Sequence, residues 1–183
     1  MYKFLISIGV VILLFISACG TNSGSQNRAS TTPDAFRSQL SGAVKVYFEL
    51  KDALVVADSK LALEKAAKLK TTLVNIDASD LSGELLSRWK QTVKDLQEKI
   101  AAEVVSKDIE AQRAAFLPVS ETMIECVKSF GPLEMPLYVK HCPMAFDNSG
   151  ADWLSDKKEV NNPYFGKGMM HNCGTVKETI AAK

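Results

Sequence analysis

Apart from Met1 and Cys19, every cysteine, methionine and histidine in the chain falls between Met123 and Cys173. Three thiols, five thioethers and two imidazoles therefore share one stretch of a 183-residue protein. Thiolate and thioether sulfur are soft donors that favour Cu(I) and its heavier relative Ag(I), and imidazole is accepted by many metals. Two short groups carry most of these donors: His141-Cys142-Pro143-Met144 and Met169-Met170-His171-Asn172-Cys173. Each offers a thiol, a thioether and an imidazole, so together they hold enough ligands for a two-, three- or four-coordinate site. Neither contains a C-x-x-C hook, which argues against a zinc ribbon.

A second chemistry competes for the same residues. In an oxidising compartment Cys142 and Cys173 can close a disulfide, stapling a loop of about thirty residues for about 3–4 kcal/mol. Met144, Met169 and Met170 would then fill gaps in a small core. Residue types and spacing leave both readings open. Cys126 belongs to neither group: it sits between Met123 and Phe130 in a helical pattern, where a buried thiol acts as a small hydrophobe. His141 and His171 each flank a cysteine, although isolated histidines also serve as surface or capping groups.

Ahead of these residues the chain reads as helix. Phe36, Leu40, Val44, Tyr47, Leu50 or Lys51, and Leu54 form a stripe at steps of three and four. Thr32 as N-cap, Pro33 at the first helical position and Asp34 in the first turn mark where that helix starts. Asp58 or Ser59 can cap a second helix that places Ala62, Ala66, Leu69 and Leu73 on one face. Asp77 to Gly83 has turn composition. A third helix presents Leu85, Trp89, Val93, Leu96, Ile100 and Val104. Ser106 or Asp108 opens a fourth, with Ile109, Phe116, Met123, Val127 and Phe130 inward and a kink or fresh start expected at Pro118. Short connections favour antiparallel neighbours, so the expected fold is mainly α: an up-and-down bundle of about four helices over residues 33–131. Residues 132–183 form a turn-rich C-terminal lobe punctuated by Pro132, Pro136, Pro143 and Gly150, with short strands expected at Leu137–Val139 and Thr175–Ile180.

The N-terminus reads as an address. Lys3, an apolar run from Phe4 to Phe15 and small residues before Cys19 make a secretory leader over residues 1–18. The run is shorter than the roughly 20 residues a spanning helix needs. Ile16-Ser17-Ala18-Cys19 resembles a bacterial lipobox, in which the cysteine is acylated and becomes the mature N-terminus. Two acyl chains on Cys19 would anchor the protein stably to a membrane. Residues 19–32, poor in anything that could offset ordering entropy, form a flexible tether. The expected location is the bacterial cell envelope, lipid-anchored and extracytoplasmic, facing the periplasm.

Charge excludes more than it assigns. With 22 basic and 21 acidic residues the net charge is +1, giving no footprint for nucleic acid or for hard cations. There is no G-x-S-x-G elbow, phosphate-binding loop, C-x-x-C redox pair or C-x-x-C-H haem site, and Asp147, Asp152 and Asp156 have no sequence neighbour suited to acid–base work. A non-catalytic protein is expected.

Several segments read together are more specific. Phe48-Glu49-Leu50-Lys51-Asp52-Ala53-Leu54-Val55, Gln112-Arg113-Ala114-Ala115-Phe116, Leu137-Tyr138-Val139-Lys140-His141-Cys142-Pro143-Met144-Ala145, Ala151-Asp152-Trp153-Leu154-Ser155 and Val160-Asn161-Asn162-Pro163-Tyr164-Phe165-Gly166 occur in this order, followed by Met170 and Cys173-Gly174. The combination resembles a bacterial family of domains of unknown function, DUF3347, over roughly residues 36–180. The family has no established activity. The same domain is similar to one appended to periplasmic adaptor subunits of copper/silver efflux pumps, and Cys142-Pro143-Met144 resembles the start of small heavy-metal modules on such adaptors. The resemblance implies soft-metal binding through Cys142, Met144 and Cys173 with Met169 or Met170, and an efflux adaptor as partner; His141 and His171 lie outside the family's motif positions. The expected function is thus an envelope lipoprotein that binds Cu(I) or Ag(I) for buffering or transfer. The alternative is a structural or interaction lipoprotein whose lobe is stapled by Cys142–Cys173.

Overall fold

Twelve of the 22 residues of α1 (Asp34–Val55) are buried, so this helix is covered on most of its surface. In the computed structural model, which describes residues 32–103, 106–168 and 170–183, α2 (Ser59–Val74), α3 (Gly83–Glu103) and α4 (Ile109–Phe130) complete a four-helix body. Each helix packs on its sequence neighbour, and α4 returns to α1. The buried face of α2 is Ala62, Ala66, Leu69 and Leu73, the stripe expected from its period. Phe36, Trp89 and Phe130 bring α1, α3 and α4 together, with ring centroids 4.8 to 5.5 Å apart. Among the described residues no helix is long and apolar enough to cross a membrane. The leader, Cys19, the tether up to residue 31, Val104 and Met169 lie outside the described residues.

Local chemistry sets the helix ends. Asp58 accepts the Leu61 N–H at 2.9 Å and Asp108 accepts the Ala111 N–H at 3.0 Å, each relieving one of the unpaired donors of a first turn. At α1 Pro33, not Thr32, occupies the cap position: its backbone is extended and its carbonyl accepts the Arg37 N–H. Pro118 neither ends nor restarts a helix; α4 runs through it. The Pro118 carbonyl accepts the Thr122 hydroxyl at 2.9 Å, and that hydroxyl in turn receives Lys99 Nζ from α3.

Beyond Gly131 the chain turns into a three-stranded antiparallel sheet of β1 (Leu137–Cys142), β2 (Ala151–Ser155) and β3 (Thr175–Ile180), in the order β2-β1-β3. The strand expected at Leu137–Val139 extends to Cys142, and β3 has the expected limits. No strand was expected at Ala151–Ser155: only five residues long, it lacks an alternating pattern because four of the five are buried. The sheet packs on α4 through β2. The last residue folds back, with the Lys183 N–H donated to Leu133 O at 2.8 Å.

Candidate functional site

Strand alternation divides the candidate ligands. In β1, Tyr138, Lys140 and Cys142 point to one side of the sheet and Leu137, Val139 and His141 to the other. Cross-strand partners share a face, and His141 is opposite Asp152 while Cys142 is opposite Ala151. His141 Nδ1 lies 2.7 Å from Asp152 Oδ1, and Lys177 Nζ lies 2.6 Å from Asp152 Oδ2. Val139 and Asp152 line a recess of about 170 Å³ with Ile124 and Lys128 of α4, so this is the face turned to the bundle. His141 is thereby separated from Cys142 and occupied by a carboxylate.

On the opposite face the two cysteines meet. Cys142 is fully buried at the end of β1, and the β1–β3 register, with His141 opposite Thr175, brings the turn that carries Cys173 alongside it. Burial, followed by the neighbouring Cys142, raises the Cys173 pKa. Both thiols are free. The approach depends on Gly174, at φ +136°, where a Cβ would stand 2.8 Å from the Trp153 ring and 2.9 Å from His141 O. It depends also on Asn162, which is wholly buried. Its Nδ2 donates to Cys173 O at 2.8 Å, its Oδ1 accepts the Tyr164 N–H, and its own N–H donates to His171 O at 2.7 Å. One residue thus fixes both ends of the segment His171–Cys173, its backbone at His171 and its side chain at Cys173.

The thioethers lie beside this pair. Met144 and Met170 line a cleft of about 520 Å³ with Phe146, Tyr164 and Phe165, and Glu110 and Asp147 supply carboxylates to its lining. Met144 is 49% exposed, while the turn Met170–Cys173 is closed by the Cys173 N–H on Met170 O at 2.8 Å. The wall after Met144 is a left-handed turn in which Phe146, Asp147 and Asn148 all have positive φ, between 51° and 67°. Non-glycine residues adopt that conformation only where the surroundings impose it. Among the described residues no group of three or more His, Cys, Asp or Glu side chains could hold a metal ion. A cation taken up at this corner would therefore use the two thiols and complete its coordination with thioether sulfur, a donor set suited to a soft ion of low coordination number.

Of the sequence-predicted ligands, then, Cys142, Cys173, Met144 and Met170 belong to one corner, and His141 does not. His171 is half-buried, and its backbone holds the turn through the Gly168 and Asn162 bonds. Cys126 is in the bundle core, where burial pushes its thiol up to about 12.

Three positioning residues were not singled out as such by sequence. Arg113 of α4 is buried and donates to Leu54 O at the end of α1, to Pro163 O in the lobe and to Glu110. A Cβ at Gly166 would collide with its guanidinium. Tyr47 of α1 pairs with Ser120 at 2.6 Å and accepts the Leu154 N–H of β2 at 3.1 Å. Lys140 is fully buried and donates to the carbonyls of Lys158 and Glu159, holding the loop after β2. Burial, and then the charge of Lys51, lowers its pKa to about 8. Arg113 and Lys140 stood inside quoted motifs, but nothing in their spacing announced burial.

The model for the family described as Protein of unknown function (DUF3347) matches residues 43–135, just over half of the chain. The chain belongs to this family. The DUF3347 match spans the bundle from mid-α1 to just before β1, a shorter span than the resemblance over 36–180. Within it lie Arg113 and Tyr47, which hold the lobe to the bundle, while the thiol pair lies beyond its end. No curated protein and no solved structure matches the chain.

Proposed function

We propose that this DUF3347 protein is an envelope lipoprotein, anchored through Cys19, whose C-terminal lobe binds Cu(I) or Ag(I) through Cys142 and Cys173 with Met144 and Met170 as thioether donors. The observation that carries the reading is the pairing of β1 with β3, which brings Cys142 and Cys173 to one corner whose neighbouring cleft is lined by both methionines. Two thiolates neutralise a monovalent ion with one charge to spare, and thioethers add coordination without further charge. The bound ion would be buffered, or passed by ligand exchange to the adaptor of a heavy-metal efflux system, the partner the family resemblance implies. The exposed Met144 is the donor a partner can reach first.

The test is an anaerobic competition titration of the full chain in detergent micelles, thiols reduced, against a Cu(I) chelator of known affinity. Cys142→Ser combined with Cys173→Ser is expected to weaken binding at least a hundredfold. Failure of the reduced protein to compete with even a weak chelator removes the proposal.

The same pairing also favours a second reading: a structural or interaction module whose lobe is stapled by a Cys142–Cys173 disulfide. Mass analysis without reduction, on protein taken directly from the envelope, separates the two. A quantitative bridge together with undiminished stability in the absence of metal supports the staple.

A further inference from the structure

We infer that Cys142 and Cys173 form a reversible dithiol/disulfide couple that opens and closes the cation site, so that the same two sulfurs serve as ligands when reduced and as a staple when oxidised. This rests on the metal-binding reading and adds its regulation. The geometry is asymmetric. Cys142 is fully buried, whereas Cys173 lies on a half-buried turn that the β1–β3 register sets beside the end of β1. An incoming disulfide therefore meets Cys173 first.

The exchange balances in two steps. The Cys173 thiol loses its proton and attacks one sulfur of a partner disulfide, R–S–S–R; the S–S bond breaks, a Cys173–S–S–R bond forms, and R–S⁻ leaves and takes up a proton. Cys142, at the same corner, then loses its proton and attacks Cys173 Sγ, expelling the second R–S⁻. The chain is oxidised by two electrons, and the partner disulfide is reduced to two thiols. Bonded to each other, the sulfurs can no longer act as thiolates, and a soft cation loses its two anionic ligands. Cys126 takes no part, being buried in the bundle.

The other corners of the fold fit a ligand less well. His141 and Lys177 are both spent on Asp152. Lys140 is enclosed and bonded to two carbonyls.

The experiment equilibrates the full chain in micelles across a series of glutathione/glutathione-disulfide ratios, alkylates free thiols and maps tryptic peptides. The expected product is His141–Lys157 linked to Gly168–Lys177, formed and reversed by the ratio. The oxidised protein should bind Cu(I) at least tenfold more weakly, recovering on reduction, and protein preloaded with Cu(I) should yield less of the linked pair. Absence of the linked pair at the most oxidising ratio, while reduced protein still binds Cu(I), overturns the couple alone. Equal Cu(I) affinity of oxidised and reduced protein overturns the gating. Reduced protein that binds no Cu(I) overturns the metal reading, and the gate with it. Cys173→Ser should form no linked pair and show no dependence on the glutathione ratio; a persisting dependence also overturns the assignment.

Discussion

In the helical body Phe36, Trp89 and Phe130 meet edge-on, and the buried faces of α1, α2 and α4 close on one another through apolar side chains. In the C-terminal lobe much of the positioning falls to polar side chains that reach backbone groups: Arg113 to Leu54 and Pro163, Tyr47 to Leu154, Asn162 to Cys173, Lys140 to Lys158 and Glu159. The bundle is specified by period, which tolerates exchange of one apolar residue for another. The lobe is specified by individual bonds, each costly to lose because the group left behind is buried. A candidate ligand site gains from that second kind of construction, since thiols must be held at a fixed separation to share an ion.

The contrast is most easily broken at Arg113. Arg113→Ala removes the guanidinium donor from the carbonyls of Leu54 and Pro163 at the junction of bundle and lobe, leaving Leu54 O with the Ala57 N–H alone. The expected loss is about 3–4 kcal/mol in denaturant unfolding. Hydrogen exchange should rise over residues 150–174 while the centres of α1 and α4 stay protected. Arg113→Lys should recover less than half, because an ammonium cannot fork to both carbonyls as the guanidinium does. A loss under 1 kcal/mol, or exchange rising equally in the bundle, would show that the lobe does not depend on this tie.

Tyr47→Phe is a smaller test of the same boundary. It removes one oxygen, leaving the Leu154 N–H and Ser120 hydroxyl without that partner, for an expected 1–2 kcal/mol, roughly the cost of an unpaired buried group. The loss should appear as a lower unfolding midpoint with an unchanged denaturant slope. A variant as stable as the parent would mean that β2 is held by packing alone.

Lys140 gives the lobe a pH signature. Its folded pKa of about 8 lies below the ordinary lysine value of 10.5, so between those limits the unfolded chain binds the extra proton. Stability contributed by this group therefore rises with pH through that window and is absent below it. Cys126 works in the opposite sense: raised from 9.0 to about 12, it lowers stability above about pH 9. The difference between wild type and Lys140→Met isolates the lysine, and should change by about 1 kcal/mol between pH 7.5 and 9. A pH-independent difference would place the ammonium in an environment as polar as water.

These tests also mark what the sequence could carry. The α2 stripe names the residues the structure buries, because a helix against one core repeats its environment every three or four residues, while the stripes of α1 and α4 name about half of theirs, since those two helices are covered more widely. The clustering of sulfur donors was equally visible, as was β3. Strand β2 was not, since burial on both faces erases alternation. Nor could the chain reveal that Asn162 clamps His171–Cys173, or that Arg113 spans residues 54 to 163, because these bonds join positions with no shared period. Lys51 shows the limit from the other side: it alternated with Leu50 as the stripe residue, and both proved buried.

The smallest expected effect is the sharpest on the ligands. His141 flanks Cys142 in sequence and shares its soft-ligand group, yet alternation along β1 turns it to the face where Asp152 holds its Nδ1. His141→Gln should therefore leave Cu(I) affinity within about twofold of wild type, about 0.4 kcal/mol. Met144→Leu, on the sulfur side of the sheet, should weaken binding clearly more. The pair of variants compares the bundle face of β1 with the corner just beyond its end, with fold and compartment unchanged. If His141→Gln costs tenfold while Met144→Leu costs nothing, the cation lies on the bundle face, and the thiol corner is a staple.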